Sequence, residues 1–145
     1  YVSERRAVVF LEAKTEWVEA ARRRFASRIR PPQFTKEQIE ALRAEAKAVL
    51  PPRLDTLARR FGLQYGRVSI RAARTKWGSC SWRNDISLSL YLMTLPEHLR
   101  DYVMIHELCH TVHHDHSPRF HALVDRLTEG KEKLLARELR SFSIR

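Results

Sequence analysis

The chain has 145 residues, 43% of them hydrophobic, with four glycines, six prolines and a formal net charge of +10. That composition suits one compact domain with a real core and excludes a low-complexity or collagen-like chain. Cys80 and Cys109 form no C-x-x-C pair and are too few for a disulfide scaffold, which points to a reducing compartment, the cytoplasm. The longest uncharged run, residues 86–96, is too short to span a bilayer, and the first residues lack the apolar core of a signal peptide, so no membrane is expected as a partner.

In chain order, residues 4–28 read as a basic helix whose apolar face is Val8, Leu11, Val18, Ala21 and Phe25, broken by Pro31-Pro32. Thr35 and Gln38 form a capping box, and Ile39, Leu42, Ala46 and Val49 recur at helical spacing up to Pro51-Pro52, where the helix is expected to end. Residues 54–61 read as a separate short helix stopped by Gly62. Residues 67–71 alternate as a strand. Residues 76–82 and 86–90, joined by Arg83-Asn84-Asp85, carry a hairpin signature. Pro96 opens a further helix and Pro118 another, with Phe120, Leu123, Val124 and Leu127 apolar; after a break at Gly130, residues 131–142 form a last amphipathic helix. Helices, a small antiparallel sheet and more helices make an α+β fold.

The helix opened by Pro96 carries His106-Glu107-Leu108-Cys109-His110, and His116 lies ten residues after His106. At about 100° per residue, His106 and His110 share one helical face about one turn apart, close enough for two nitrogens to share an ion. Glu107 beside them reaches an open fourth position, where a carboxylate takes a proton from a water activated at the ion. On an unbroken helix His116 would sit about 80° off that face and about 15 Å along the axis. The helix is therefore expected to stop near His113 or His114 and the chain to fold back to Ser117-Pro118, a good N-cap and first-turn pair. His113 shares the ligand face but lies about 10 Å along the axis from His106, too far for both to hold one ion at about 2.1 Å. It is the poorer ligand, and is tolerable at a turn because histidine visits positive φ more often than most residues.

His106, His110 and His116 thus make the candidate zinc ligands of an open, catalytic site, with Glu107 as base. The apolar flanks Tyr102, Val103, Met104, Ile105, Leu108 and Val112 agree, because an ionisable cluster on such a helix is costly without a partner. His114 and Asp115 read as solvated loop residues. Trp77-Gly78 is expected to pack a corner at a strand start; neither Ser79 nor Cys80 has a separate His-Asp pair to make it a nucleophile, and Cys109 reads as a small hydrophobe. His113, Arg74 and Tyr91 are candidates for a second stabiliser of an oxyanion.

Lys76-Trp77-Gly78-Ser79-Cys80-Ser81, Ile86-Ser87-Leu88, Tyr102-Val103, the pentapeptide from His106 to His110, Asp115-His116-Ser117 and Phe120 together resemble the YgjP-like metallopeptidase family, relatives of the WLM and SprT-like zincins. The resemblance covers roughly residues 1–142, with its motifs in 74–120. It implies His106, His110 and His116 as zinc ligands and Glu107 as base, in a single zincin-like domain over residues 1–145 without the N-terminal strands that usually open the family. Ser89 and Asp115 stand where the family often has Asn. Both methionines, Met93 and Met104, precede His110, so the Met-turn of metzincins is absent. Zincins place a strand beside the metal helix that holds extended substrate by its free edge, and residues 86–91 are the candidate edge.

The charge is uneven. Residues 67–95 hold five basic residues, Arg67, Arg71, Arg74, Lys76 and Arg83, against one acidic residue, just before the catalytic helix. Nucleic acid or another polyanion could be steered there, although no nucleic-acid motif accompanies the charge. Three classes follow: a zinc metallopeptidase acting on extended peptide or protein, a metal-dependent phosphohydrolase of nucleotides or nucleic acid, and a basic nucleic-acid-binding protein with a structural zinc. An open position beside Glu107 argues against the third; the first two stay open because both use the same four residues.

Overall fold

The computed structural model describes residues 34–142, so the expected helix over 4–28 and its Pro31-Pro32 break lie outside the described residues. Helix α1, Lys36–Phe61, starts at the expected capping box. Thr35 Oγ1 accepts the Gln38 N–H at 3.0 Å and Gln38 Oε1 accepts the Thr35 N–H at 2.9 Å. The helix does not end at Pro51-Pro52. It runs through both prolines as one element of 26 residues and stops at Gly62, whose φ of +69° closes the C-terminus in the left-handed conformation. Tertiary burial explains the difference. Leu42, Ala46, Leu50, Leu54, Leu57 and Ala58 form one continuous buried stripe across the prolines. With each buried leucine contributing about 2 kcal/mol, that stripe outweighs a cost of about 3 kcal/mol for a helix-interior proline.

Three strands follow: β1 (Val68–Arg71), β2 (Gly78–Cys80) and β3 (Ile86–Ser89). The sheet order is β1-β3-β2, and the sheet is mixed. The expected hairpin is present, with β2 antiparallel to β3 and Gly78 opposite Leu88, but β1 pairs parallel to β3, Ile70 opposite Leu88. The α+β class holds, and β3 is the central strand, so the free edge is not residues 86–91; the edges are β1 and β2. The cause is chemical. Ile86 and Leu88 are fully buried on the inner face, and a strand that buried is stabilised by pairing on both sides.

A 3-10 helix, Leu90–Thr94, then drives Leu90, Tyr91, Leu92 and Met93 into the core. Helix α2, Glu97–Cys109, packs on α1 and carries a two-pronged pair, Arg53 Nε to Asp101 Oδ1 at 3.0 Å and Nη2 to Oδ2 at 2.8 Å. Helix α3, Pro118–Leu127, is capped by Ser117 with proline in its first turn, as expected, and α4, Glu132–Arg140, follows the turn at Glu129 and Gly130, both with positive φ. Helix α2 is thus held between α1, the sheet and α3. Leu54 is 0% exposed at the centre of the α1 stripe. Leu54→Ala is expected to cost about 2–5 kcal/mol, read as a lower midpoint in urea unfolding; a loss below about 1 kcal/mol would contradict the burial that carries α1 through its prolines.

Candidate metal centre

Helix α2 ends at Cys109, and main-chain bonds from Thr111 to Leu108, and from Val112 and His113 to Cys109, carry one more turn through His113 before the chain folds back. The fold-back falls where the spacing of the histidines demanded it. It needs no left-handed residue at 113: among the described non-glycine residues only Asn84 and Glu129 have positive φ.

The fold-back brings one nitrogen each from His106, His110 and His116 within 4.8 Å of one another. His113 is not in this cluster, and its main chain acts instead. His110 Nδ1 lies 2.9 Å from the His113 carbonyl, which only accepts, so Nδ1 carries the proton and Nε2 keeps its lone pair for an ion. The loop carrying His116 is held on both sides. His114 Nε2 donates to Asn84 Oδ1 at 2.7 Å in the turn between β2 and β3, and Asp115 Oδ1 accepts the Ser117 N–H at 3.3 Å. His114 and Asp115 are exposed loop residues, as expected, and their hydrogen bonds also tie the loop down.

Phe120, 0% exposed, forms the floor of the cluster. Its ring stacks on His110 with centroids 4.1 Å apart and planes at 10°, and stands edge-on to His106 at 4.9 Å and His116 at 5.2 Å. All three imidazoles are therefore oriented by one aromatic ring. His121 lies beside it, its ring 6.2 Å from that of His116 and its Nδ1 2.6 Å from Glu132 Oε2. Sequence spacing brought Phe120 into the family motif only as a residue type; its place opposite the histidines depends on α3 folding back over α2.

Glu107 is 6% exposed. Strand β2 closes on it: a Cβ at Gly78 would stand 3.1 Å from Glu107 Cγ and 3.3 Å from the Ser87 carbonyl, so the carboxyl lies against a bare backbone. Burial raises the Glu107 carboxyl to about 7, against the opposing pull of Lys76. Burial also lowers His106, to about 4, with the neighbouring His110, His116 and His121 adding to it, and lowers His110. His106 and His110 are thereby biased toward the neutral form, the form that binds a metal. Cys80 is pushed up to about 11 by burial and by Glu107, and Cys109 to about 12 by burial, so neither thiol is poised as a nucleophile. Of the other candidate stabilisers, Tyr91 is 1% exposed in the core beside Phe34, and Arg74 lies over its ring.

The donor set fits a catalytic divalent ion: three imidazoles, one tautomer fixed by a carbonyl, and a carboxyl alongside rather than a fourth ligand. A helix presenting this set beside a strand edge has the layout of a metal-dependent hydrolase. The chain belongs to the YgjP-like family, whose metallopeptidase-domain model matches residues 28–141, and the family match makes it a metallopeptidase. The crystal structure of the metallopeptidase zymogen of Pyrococcus abyssi abylysin shares the fold, with a TM-score of 0.53 and 24% identity over 72% of this chain and 94% of that one. No curated protein matches the sequence. Among the described residues no helix is long and apolar enough to cross a membrane.

Two expectations follow from these geometries. Glu107, held protonated up to about 7 in the metal-free fold, ionises near 4.5 when unfolded, so its contribution to stability is complete below about 4.5 and lost as pH rises to about 7. In chelator, Glu107→Gln is expected to melt above the wild type at pH 8 and level with it at pH 4; equal melting at both values would remove the burial argument. In competition with a chromophoric zinc chelator, His116→Ala is expected to weaken affinity by more than the roughly 10–100-fold that loss of an outer partner costs. His113→Ala, which keeps the main-chain carbonyl, should change it far less, and the reverse order would reassign the third ligand.

Proposed function

We propose that the chain is a zinc-dependent peptidase that cleaves extended peptide or protein substrates, with His106, His110 and His116 as zinc ligands and Glu107 as general base. The observation that carries this reading is the convergence of three imidazole nitrogens within 4.8 Å beside a buried carboxyl. Three nitrogen donors with no thiolate suit zinc in its catalytic form, and zinc bound there would supply Lewis acidity that polarises the scissile carbonyl and acidifies a water.

Glu107, raised to about 7, is matched to taking a proton near neutral pH and giving it to the leaving amine. The His113 carbonyl keeps His110 in the ligating tautomer, and Phe120 keeps all three rings from turning. Strand β2 is an edge, and its Gly78 touches Glu107. A peptide adding to that edge by main-chain hydrogen bonds runs past the base, so residues 78–80 replace 86–91 as the substrate edge in this reading.

The phosphohydrolase alternative leaned on the arginines before the catalytic helix. Arg67 and Arg71 flank and end β1 on the face away from the half-buried Val68 and Ile70 and the buried Leu88, whereas Gly78 meets Glu107 on the buried side. A structural zinc would call for a fourth protein donor, and the cluster among the described residues has three. We assign the protein to the cytoplasm, in keeping with its two free cysteines.

The test is product formation, by mass spectrometry, from an unfolded protein and from mixed nucleoside triphosphates. The zinc-loaded chain is expected to release peptides and leave nucleotides intact. Glu107→Gln should keep its zinc and lose at least the roughly 10²–10⁴-fold that general-base catalysis contributes. Gly78→Val, whose side chain must displace Glu107, should lower kcat at unchanged zinc affinity. Peptide release undiminished by Glu107→Gln would sink the proposal, and nucleotide hydrolysis that depends on Glu107 would replace it with the phosphohydrolase.

A further inference from the structure

The outward face of the sheet takes no part in the histidine cluster, and a row of serines crosses it. Ser69, Ser87 and Ser79 stand opposite one another across β1, β3 and β2, forming a row of hydroxyls over the full width of the sheet. Ser69 Oγ and Ser87 Oγ are 3.5 Å apart. The row lies in a groove of about 740 Å³ lined also by Arg67, Arg71 and Lys76. The acid in the groove is Asp85, and its Oδ1 accepts the Arg67 main-chain N–H at 2.8 Å. Hydroxyl donors between cations are the groups that bind successive phosphates of a polyanion.

The turn at the end of this groove carries a second, independent feature. Trp82 is 77% exposed, the most exposed large hydrophobic side chain among the described residues, and the Arg83 guanidinium lies 5.0 Å from its ring centroid. The turn beneath it is rigid: Ser81 Oγ accepts N–H groups from Arg83 and Asp85, and Asn84 takes the left-handed conformation. An indole exposed to water on a hydrogen-bonded turn, with a cation on one face, is a platform on which an unpaired base stacks.

We infer that the outward face of the sheet and its Trp82 turn bind single-stranded nucleic acid, the phosphates along Arg67, Arg71 and Lys76 and a base on Trp82. An acidic peptide would match the cations but has no use for the exposed indole, and a duplex keeps its bases stacked out of reach of it. Ser69, Ser79 and Ser87 alternate with the residues on the Glu107 side of the sheet, while Lys76 of the groove also acts on that carboxyl; nucleic-acid binding here does not require the peptidase reading.

The experiment is fluorescence anisotropy of a labelled 20-mer oligothymidylate with the zinc-loaded and the metal-free chain, over a range of salt. Binding is expected in both forms and in Glu107→Gln, with log K falling against log salt at a slope of about −2 for three cations on a single strand. Trp82→Ala should weaken it roughly tenfold; the double change Arg67→Ser with Arg71→Ser should flatten the slope, and zinc affinity should report an intact fold in each variant. The inference is overturned by no binding at low salt, by binding indifferent to Trp82→Ala, or by displacement of the oligonucleotide by polyglutamate as readily as by unlabelled oligonucleotide. The last would identify an acidic protein as the partner. Equal affinity for duplex of the same length would likewise remove the role of the indole and with it the proposal.

Discussion

The close approach of Gly78 to Glu107 is the constraint on which the candidate site rests. A carboxyl beside a metal cluster is useful as a base only if it is held, and here it is held by backbone with no side chain between. The position of that backbone is set by the register of β2 on β3, Gly78 opposite Leu88, and β3 in turn is fixed by β1 on its other side. A slip of one residue would turn Ser79 inward and present a hydroxyl where the glycine now stands. The base is therefore located by the sheet as much as by the helix that carries it. The long α1 stripe and the buried 3-10 helix support the sheet and α2 together.

Burial acts on the two kinds of titratable group in opposite directions, to one end. It disfavours charge, so His106 and His110 lose their protons more readily and the carboxyl keeps its own longer. His106 and His110 are favoured as neutral donors while the Glu107 carboxyl is brought near neutral pH. Lys76 tempers the carboxyl and so limits how far burial can push it. One packing arrangement thus prepares ligands and base, and a change that let water reach α2 would relax both.

What could be read from the residues was what depends on near neighbours. The i,i+4 histidines, the Thr35–Gln38 box, the Gly62 stop and the Ser117-Pro118 start are each decided within one turn of chain, and each stands as expected. The helix through Pro51-Pro52 was not legible, because the leucine stripe that overrides both prolines is a property of the core rather than of the window around them. The central place of β3 was hidden for a similar reason: a parallel partner comes from outside the hairpin, and alternation says only which residues turn inward. Phe120 beneath the histidines, and the bond between His114 and Asn84, join segments 10 and 30 residues apart in space that no periodicity reports. His113 was weighed by its side chain, and it is its carbonyl that matters.

That bond between His114 and Asn84 bears on how fast a metal would come and go. His116 is the exposed member of the triad and the one not borne by α2, so an ion held there would be released through the loop that carries His116. The loop is moored at His113, His114 and Asp115, the middle mooring running to the far side of the molecule's hairpin. Residence time at the centre is then governed by the opening of those moorings and not by coordination strength alone. A chelator in large excess would wait on the loop, and the sheet turn would act as the latch.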